Sequence, residues 1–586
     1  MRWSILTRLL LLAVSASLIL AACGGGDEPT IAPTSPPTVA PTAAPQATVV
    51  VAPTATARPA PTATPVPPPT PTSAPVSTGQ MTIALSGFAN FEMVTQQGTT
   101  KEYLESMYDY VIGAKENGDL DPATGFVSAW TIDPDGKGFT FKTRPSVLFH
   151  NGDTATSKDI IAFIELARAP ASQWSSATAL RADIVSMDTP DDNTLNVKLT
   201  APSIFWHLRN LSLMGSGGSP SHLLSGKYLA AAGYAGYNKT PVGTGPYKFK
   251  SAAVNDNLTV EAVDKHWLYG VPRTKTMVFR AVPEETTRLA LLRAGDADII
   301  PISRAGIKAA QAAAVQIFEK ENSGVGAFRF EAQFAKLYDG KPNPIANYEV
   351  IKALGYYGVD RETIVKTFLQ GRGVASIDYP SQPLDYGYIK QPLPAYDPVK
   401  AKDLLAKAGY PNGFDLDFIV YPRSNLPEGT EIMEAVIVGW EKIGIKINRQ
   451  PSDFVSFQNK IFGRAFGDNG AFNKPTVSGM WYLGASPTAG ATAASSHTVG
   501  GFNVNYDADI ADLGKKWQAA ITLDDYKKYR TEYMKLAVEK GAPTGGGMTI
   551  FTVGLLYAGS PKVPAKWDIG SGQDARNYQK AAGWRY

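Results

Sequence analysis

The stretch "AYDPVKAKDLLAKAGYPNGFDLDFIVYP", Ala395 to Pro422, decides the fold. Asp397 is a good N-cap, and Pro398 stands where a first-turn proline leaves no intrahelical bond unmade. Ala401, Leu404, Leu405 and Ala408 recur at helical spacing and form one apolar face. Gly409 suits the C-terminal cap and Pro411 stops continuation, so a strand beginning near Leu416 follows. The next segment, "EIMEAVIVGWEKIGIKINRQ", Glu431 to Gln450, repeats the pattern of helix, glycine (Gly444) and strand. Such alternation predicts an α/β architecture with largely parallel sheets.

Working outward, "EETTRLALLRAGDADII" reads as a helix from about Glu284 to Ala294, ended by Gly295 and followed by a strand through Asp298-Ile299-Ile300. "KGFTFKTR" (Lys137 to Arg144) and "NTLNVKLT" (Asn193 to Thr200) alternate with period two and read as half-buried strands. Residues 80 to 586 exceed the ~250–300 residues that one core usually serves, so two or three lobes are expected. The net charge of +3 is small for this length and points to neither nucleic acid nor an anionic membrane surface.

The first eighty residues are of another kind. Arg2 and Arg8 precede an apolar run, Leu9 to Leu20, that is too short for the ~20 residues a bilayer span needs. Leu20-Ala21-Ala22-Cys23 resembles the bacterial lipobox, which implies a signal peptide over 1–22 and lipidation at Cys23, the only cysteine. The alternative is an ordinary secretory signal with a chance cysteine. Pro, Thr, Ala and Val dominate residues 29–78, with Arg58 as the single charge; the segment is expected to run as a polyproline-like tether.

Several segments, taken in order, resemble one family. They are "GDLDPATGFVSAWTIDPDGKGFTFKTRPSVLFHNGDTATSKDIIAF", "VGTGPYKF", "DKHWLYGVPRTKTMVFRAVPEETTRLALLRAGDADI", "NPIANYEVIKALGYYGVDRETIVKTFLQGRG", the opening stretch and "IVGWEKIGIKI". The succession, over about 80 to 560, is similar to the family 5 extracellular solute-binding proteins, the oligopeptide- and dipeptide-binding class serving ABC importers. The resemblance implies a type II periplasmic-binding-protein fold, α/β, with two lobes closing on a hinge and an additional domain. Lobe one would take 80–110, 244–332 and 546–586, the additional domain 111–243 and lobe two 333–545. Crossings near Phe330 and Gly545 would form the hinge, where Gly545-Gly546-Gly547 suits a change of φ/ψ. It further implies a monomer on the extracytoplasmic face of the membrane, anchored in the bilayer through acylated Cys23 and delivering a small solute to an ABC permease.

In the peptide-binding branch a segment shaped like Gly-Trp-x-x-Asp sets an aspartate against the peptide's α-amino group. The matching stretch, "SGMWYLGASPTAG" (Ser478 to Gly490), has Trp481 in place but no carboxylate after it, and Asp468 would serve only if the alignment slips. Peptide remains the expected ligand, with oligosaccharide or another organic solute as the alternative. Trp481 and Tyr482 are the candidates for the cleft wall, against ordinary core packing. Arg464 is placed where relatives meet ligand carboxylates, against a solvated surface role. Phe328 and Arg329 lie on the strand at the lobe crossing, and Gln96, Gln97 and Thr99 in an early loop that approaches ligand in relatives. Gly243, Thr244, Gly245, Pro246 and Tyr247 read as a structural turn running into a strand.

Nothing in the sequence suggests catalysis. His150, His207, His222, His266 and His497 are not spaced as metal ligands, and no GxSxG or phosphate loop is present. No cofactor is expected, and no enzyme. A surface sensor or adhesion lipoprotein without an import role is the other function class open to this pattern.

Overall fold

The computed structural model describes residues 77–86, 102–115, 119–170, 172, 177–212, 222–253, 256–313, 315–331, 337–338, 340–377, 385–423, 426–453, 456–457, 474–484, 507–541, 547–567 and 569. All lie in the compact unit Ser73–Tyr586. Cys23, the signal peptide and the tether as far as residue 76 lie outside the described residues, as do Gln96, Gln97, Thr99, Arg464, Asp468, His497, Gly545 and Gly546; Thr78, the tether's last residue, already opens the first strand. Among the described residues no helix is long and apolar enough to cross a membrane.

Among the described residues, fifteen strands of three or more residues carry the architecture. In chain order they are β1 (Thr78–Leu85), β2 (Val127–Ile132), β3 (Gly138–Thr143), β4 (Ile184–Asp191), β5 (Thr194–Leu199), β6 (Tyr247–Ala253), β7 (Asn257–Ala262) and β8 (Thr274–Ala281). There follow β9 (Ile299–Pro301), β10 (Gln316–Glu331), β11 (Gly373–Ala375), β12 (Asp415–Val420), β13 (Lys446–Pro451), β14 (Thr476–Gly484) and β15 (Gly547–Gly559). Strands β2, β3, β5 and β4 form an antiparallel sheet of their own. The others form one sheet in the order β13-β12-β14-β10-β15-β9-β1-β8-β7-β6, with β11 on the free flank of β15.

The opening stretch folds as read. Helix Pro398–Lys407 is capped by the Asp397 carboxylate, which accepts from the Lys400 N–H at 2.9 Å, and buries Ala401 and Leu405. Gly409 takes φ 93°, and the chain turns into β12. Helix Gly429–Lys442, Gly444 at φ 103° and β13 repeat the unit. Helix Glu285–Ala294 ends on left-handed Gly295 before β9.

The expectation of largely parallel sheets is corrected. Only β1 with β8 and β9, and β12 with β13 and β14, pair in parallel. Strands β10 and β15, 16 and 13 residues long, run antiparallel to each other and to their other neighbours. The reason is connectivity. A helix can carry the chain back between parallel strands within one half of the sheet, whereas the two long strands take it across the middle in opposite directions.

The turn Val242–Tyr247 locks onto the segment Ser106–Asp109. Gly245 N–H donates to Met107 O at 2.9 Å, and Asp109 N–H to Thr244 Oγ1 at 3.4 Å. His150 grips the turn from outside: its Nε2 meets Gly245 O at 2.9 Å and its Nδ1 accepts from Gly243 N–H at 3.3 Å. That pattern fits the neutral ring, and burial accordingly pulls its pKa down to about 4. A methyl group on Gly245 would lie 2.5 Å from Met107 C and 2.6 Å from Tyr108 N, both backbone atoms. Gly245→Ala is therefore expected to lower stability by about 1–3 kcal/mol, measured as the urea midpoint.

Candidate functional site

Strand β10 is the seam of the large sheet, with β14 on one side and β15 on the other. Its last residues reach both neighbours: Arg329 registers with Gly547 at the start of β15, and Glu331 with Thr476 at the start of β14. Both crossings of the sheet therefore lie side by side. Part of the chain's buried charge lies here.

Arg329 and Glu331, two apart, share one face of the strand and are buried, with Arg329 Nε 3.5 Å from Glu331 Oε1. Tyr421, immediately beyond the carboxyl end of β12, donates its hydroxyl to Met480 O at 2.8 Å. Burial pushes its phenol far up, and Arg423, Glu331 and Arg329 all act on it. Arg423 is itself buried. Two guanidinium groups and one carboxylate thus gather around one phenol at the seam. The ring of Tyr421 stacks on Phe457 at 4.0 Å, and Gly479, at φ 73°, lets β14 pass: a Cβ there would lie 2.4 Å from Ile419 O.

Two further arginines tie β15 to what flanks it. Arg361, from helix Arg361–Thr367, donates to Thr549 O at 3.1 Å and Ser376 O at 3.1 Å, and burial lowers its pKa to about 10. Arg304, after β9, donates its backbone N–H to the Glu428 carboxylate at 2.5 Å and its guanidinium to Gly554 O. Burial raises the Glu428 carboxyl, and Arg304 opposes the shift.

The candidates read from sequence distribute unevenly. Phe328 is fully buried, its ring 5.4 Å from Phe418 and 6.2 Å from Trp440, so it packs beneath the seam; Arg329 is in the charged group. Trp481 and Tyr482 lie on β14, opposite Ala327 and Gly326 of β10, with their side chains outside the described residues. The sequence reading missed Glu331, Tyr421 and Arg423. A signal existed: "DFIVYPR" sets a phenol and a guanidinium just past the carboxyl end of a parallel strand, the end where α/β sheets bind ligands. Among the described residues no group of three or more His, Cys, Asp and Glu could hold a metal ion.

Comparison with known proteins is consistent with this arrangement. The sequence signature of the bacterial extracellular solute-binding proteins, family 5 middle, matches residues 122–491. Heme-binding protein A of Haemophilus influenzae is 28% identical over 402 residues, covering 62% of this chain and 70% of that protein. The glutathione-binding protein GsiB of Pectobacterium atrosepticum is 25% identical over 445 residues, covering 72% and 80%. Among solved structures, the PBP AgaA of A. tumefaciens R10 in complex with agropinic acid superposes with a TM-score of 0.71 at 24% identity, covering 86% of this chain and 97% of that one. The oligopeptide-binding protein AppA of Bacillus subtilis, in complex with a nonapeptide, gives 0.70 at 18% identity, covering 88% and 100%. These structural likenesses concern the fold.

Proposed function

Because the chain belongs to the bacterial extracellular solute-binding proteins of family 5, we propose that it captures a carboxylate-bearing organic solute, a short peptide by default, between two closing lobes. Lobe one is assigned 80–110, 244–332 and 546–586, lobe two 333–545, and the additional domain 111–243. The hinge lies where β10 and β15 cross. The solute is handed to an ABC permease. Cys23 carries the lipid anchor and the proline-rich segment is the tether, reaching roughly 150 Å when extended at about 3.1 Å per residue. Recognition is by differential affinity for the closed state, with no chemical step.

The observation that carries this reading is the gathering of Arg329, Arg423 and Glu331 around Tyr421 at the seam. Two guanidinium groups against one carboxylate favour an anionic ligand group, and guanidinium is the side chain best shaped for bidentate carboxylate contact. Heme, glutathione, agropinic acid and peptides, named for the relatives above, all bear carboxylates. The ligand wall is assigned to Trp481 and Tyr482, with Arg464, Gln96, Gln97 and Thr99 completing it from the two sides.

A thermal-shift screen against pooled di- to pentapeptides, opine-type acids and neutral oligosaccharides tests the reading. Ligand at 100 times its Kd adds about 2.7 kcal/mol of stability. Arg423→Gln is expected to weaken binding of the acidic hit by roughly 10- to 100-fold, the worth of a charge-assisted hydrogen bond. A response to neutral oligosaccharides alone would overturn the carboxylate assignment.

A further inference from the structure

A second meeting of distant chain segments lies away from the seam. Helices Ala508–Gln518 and Leu523–Lys540 pack as a pair around Trp517, Tyr526, Tyr533 and Met534, a core separate from the main one. One aromatic ring in that core comes from the segment 111–243. Phe205 sits 4.7 Å from Tyr526, edge to face at 72°, and 5.2 Å from Tyr386. Nearby, a methyl group on Gly136 would touch Ile521 Cγ2 at 3.4 Å, at the turn between the two helices. Asp119 acts on the hydroxyl of Tyr386, and Arg209 on that of Tyr526. Three separate loops of the segment thus face one surface.

Both sides of the contact are stiff. Ser203 N–H donates to Gly136 O at 2.9 Å, and Arg209 donates to Ser203 Oγ at 3.0 Å, which fixes the loop that presents Phe205. On the receiving side Asp385, next to Tyr386, is held by Arg530 at 2.9 Å. Gly387, at φ 84°, brings the chain so close that a Cβ would lie 3.0 Å from Arg530 Cβ. A rigid ring in a rigid socket has no graded way to loosen; it is either seated or withdrawn. The side chains at the contact are those an interface core favours, with aromatic rings at the centre and an exposed Ile521 at the rim.

We infer that Phe205 is a closing clasp: the additional domain docks onto lobe two when the lobes close, and this contact sets the fraction of ligand-free protein that is closed. The inference rests on the lobe division proposed above. Opening about the β10 and β15 crossings carries lobe two away from the segment that bears Phe205, so the ring must leave its socket. Because apparent affinity scales with the binding-competent fraction, the clasp tunes solute affinity from a place that touches no solute.

The test is made on the full chain without ligand. Cys23→Ser removes the only native thiol, and Lys198→Cys and Lys515→Cys place spin labels at exposed positions on either side. Pulsed electron spin resonance then reports the separation. The parent is expected to show one dominant short separation. Phe205→Ala should raise the long-separation fraction roughly five-fold or more, with an unchanged thermal midpoint for the main core, and Phe205→Leu should raise it less. Ile521→Glu attacks the contact from the opposite, exposed side and serves if Phe205→Ala does not fold. Unchanged distances in whichever variant folds would overturn the clasp. Failure of the solute screen would bear on the binding reading alone, since these distances are recorded without ligand.

Discussion

Replacing Arg530 by alanine is expected to cost about 3–5 kcal/mol, felt first in the helix pair Ala508–Gln518 and Leu523–Lys540. Arg530 and Asp385 are both fully buried, with Arg530 Nη2 2.9 Å and Nε 3.2 Å from the same carboxylate oxygen. The guanidinium lies over the Trp517 ring at 4.7 Å and near Tyr533 at 5.4 Å, so it is also a flat packing element of that core. Truncation leaves the Asp385 charge in an apolar surround and a void beside two aromatic rings. The buried charge is the larger penalty. For that reason the double variant Asp385→Leu with Arg530→Met should recover most of the loss, because a buried ion pair replaced by apolar side chains of similar volume is often neutral. Urea unfolding followed by tryptophan fluorescence measures both. An alanine variant within about 1 kcal/mol of the parent would overturn the expectation that truncation strands a buried charge beside a void.

That pair also marks the limit of what the sequence makes legible. Asp397, Pro398 and Gly409 announce their helix because the physics of capping is local: donor, acceptor and glycine lie within thirteen residues. The same holds for Glu285–Ala294 and its Gly295 cap. Strand direction is a different matter. The antiparallel course of β10 and β15 depends on where the chain crosses the sheet, and no residue spacing encodes that. Asp385 and Arg530 are 145 positions apart, and nothing near either residue indicates that they share one buried site. Arg423 stood in plain view, but exposed and buried arginines read alike until the fold encloses them. Fold class and motif order were therefore readable, whereas the charged cluster at the seam needed three dimensions.

Acid should destabilise this protein more steeply than its small net charge suggests. His150 and His207 are buried, and burial lowers their pKa values from 6.5 to about 4 and about 3. In the folded chain both stay neutral where the unfolded chain has taken up two protons. Stability is therefore complete above about pH 6.5 and is lost as pH falls toward 4, where His150 begins to protonate in place. Two protons give a slope of about 2.7 kcal/mol per pH unit between roughly pH 6 and 4.5. The carboxyls of Asp159, Asp183 and Glu428, raised by burial, work against this, because the folded state holds their protons to higher pH than the unfolded one. The two effects separate in one variant. His207 lies among Trp130, Phe139 and Phe141 at 5.4–6.4 Å between ring centroids, and its Nδ1 has no hydrogen-bond partner among the described residues. His207→Leu removes a polar atom that the core does not satisfy, so stability at pH 7.5 should hold or rise by about 1 kcal/mol. At the same time one titrating group disappears, and the slope between pH 6 and 4.5 should fall by about 1.4 kcal/mol per unit. Urea midpoints at half-unit pH steps give both numbers. A slope unchanged by the substitution would mean that His207 is charged in the folded protein, and the acid lability would then have to arise elsewhere.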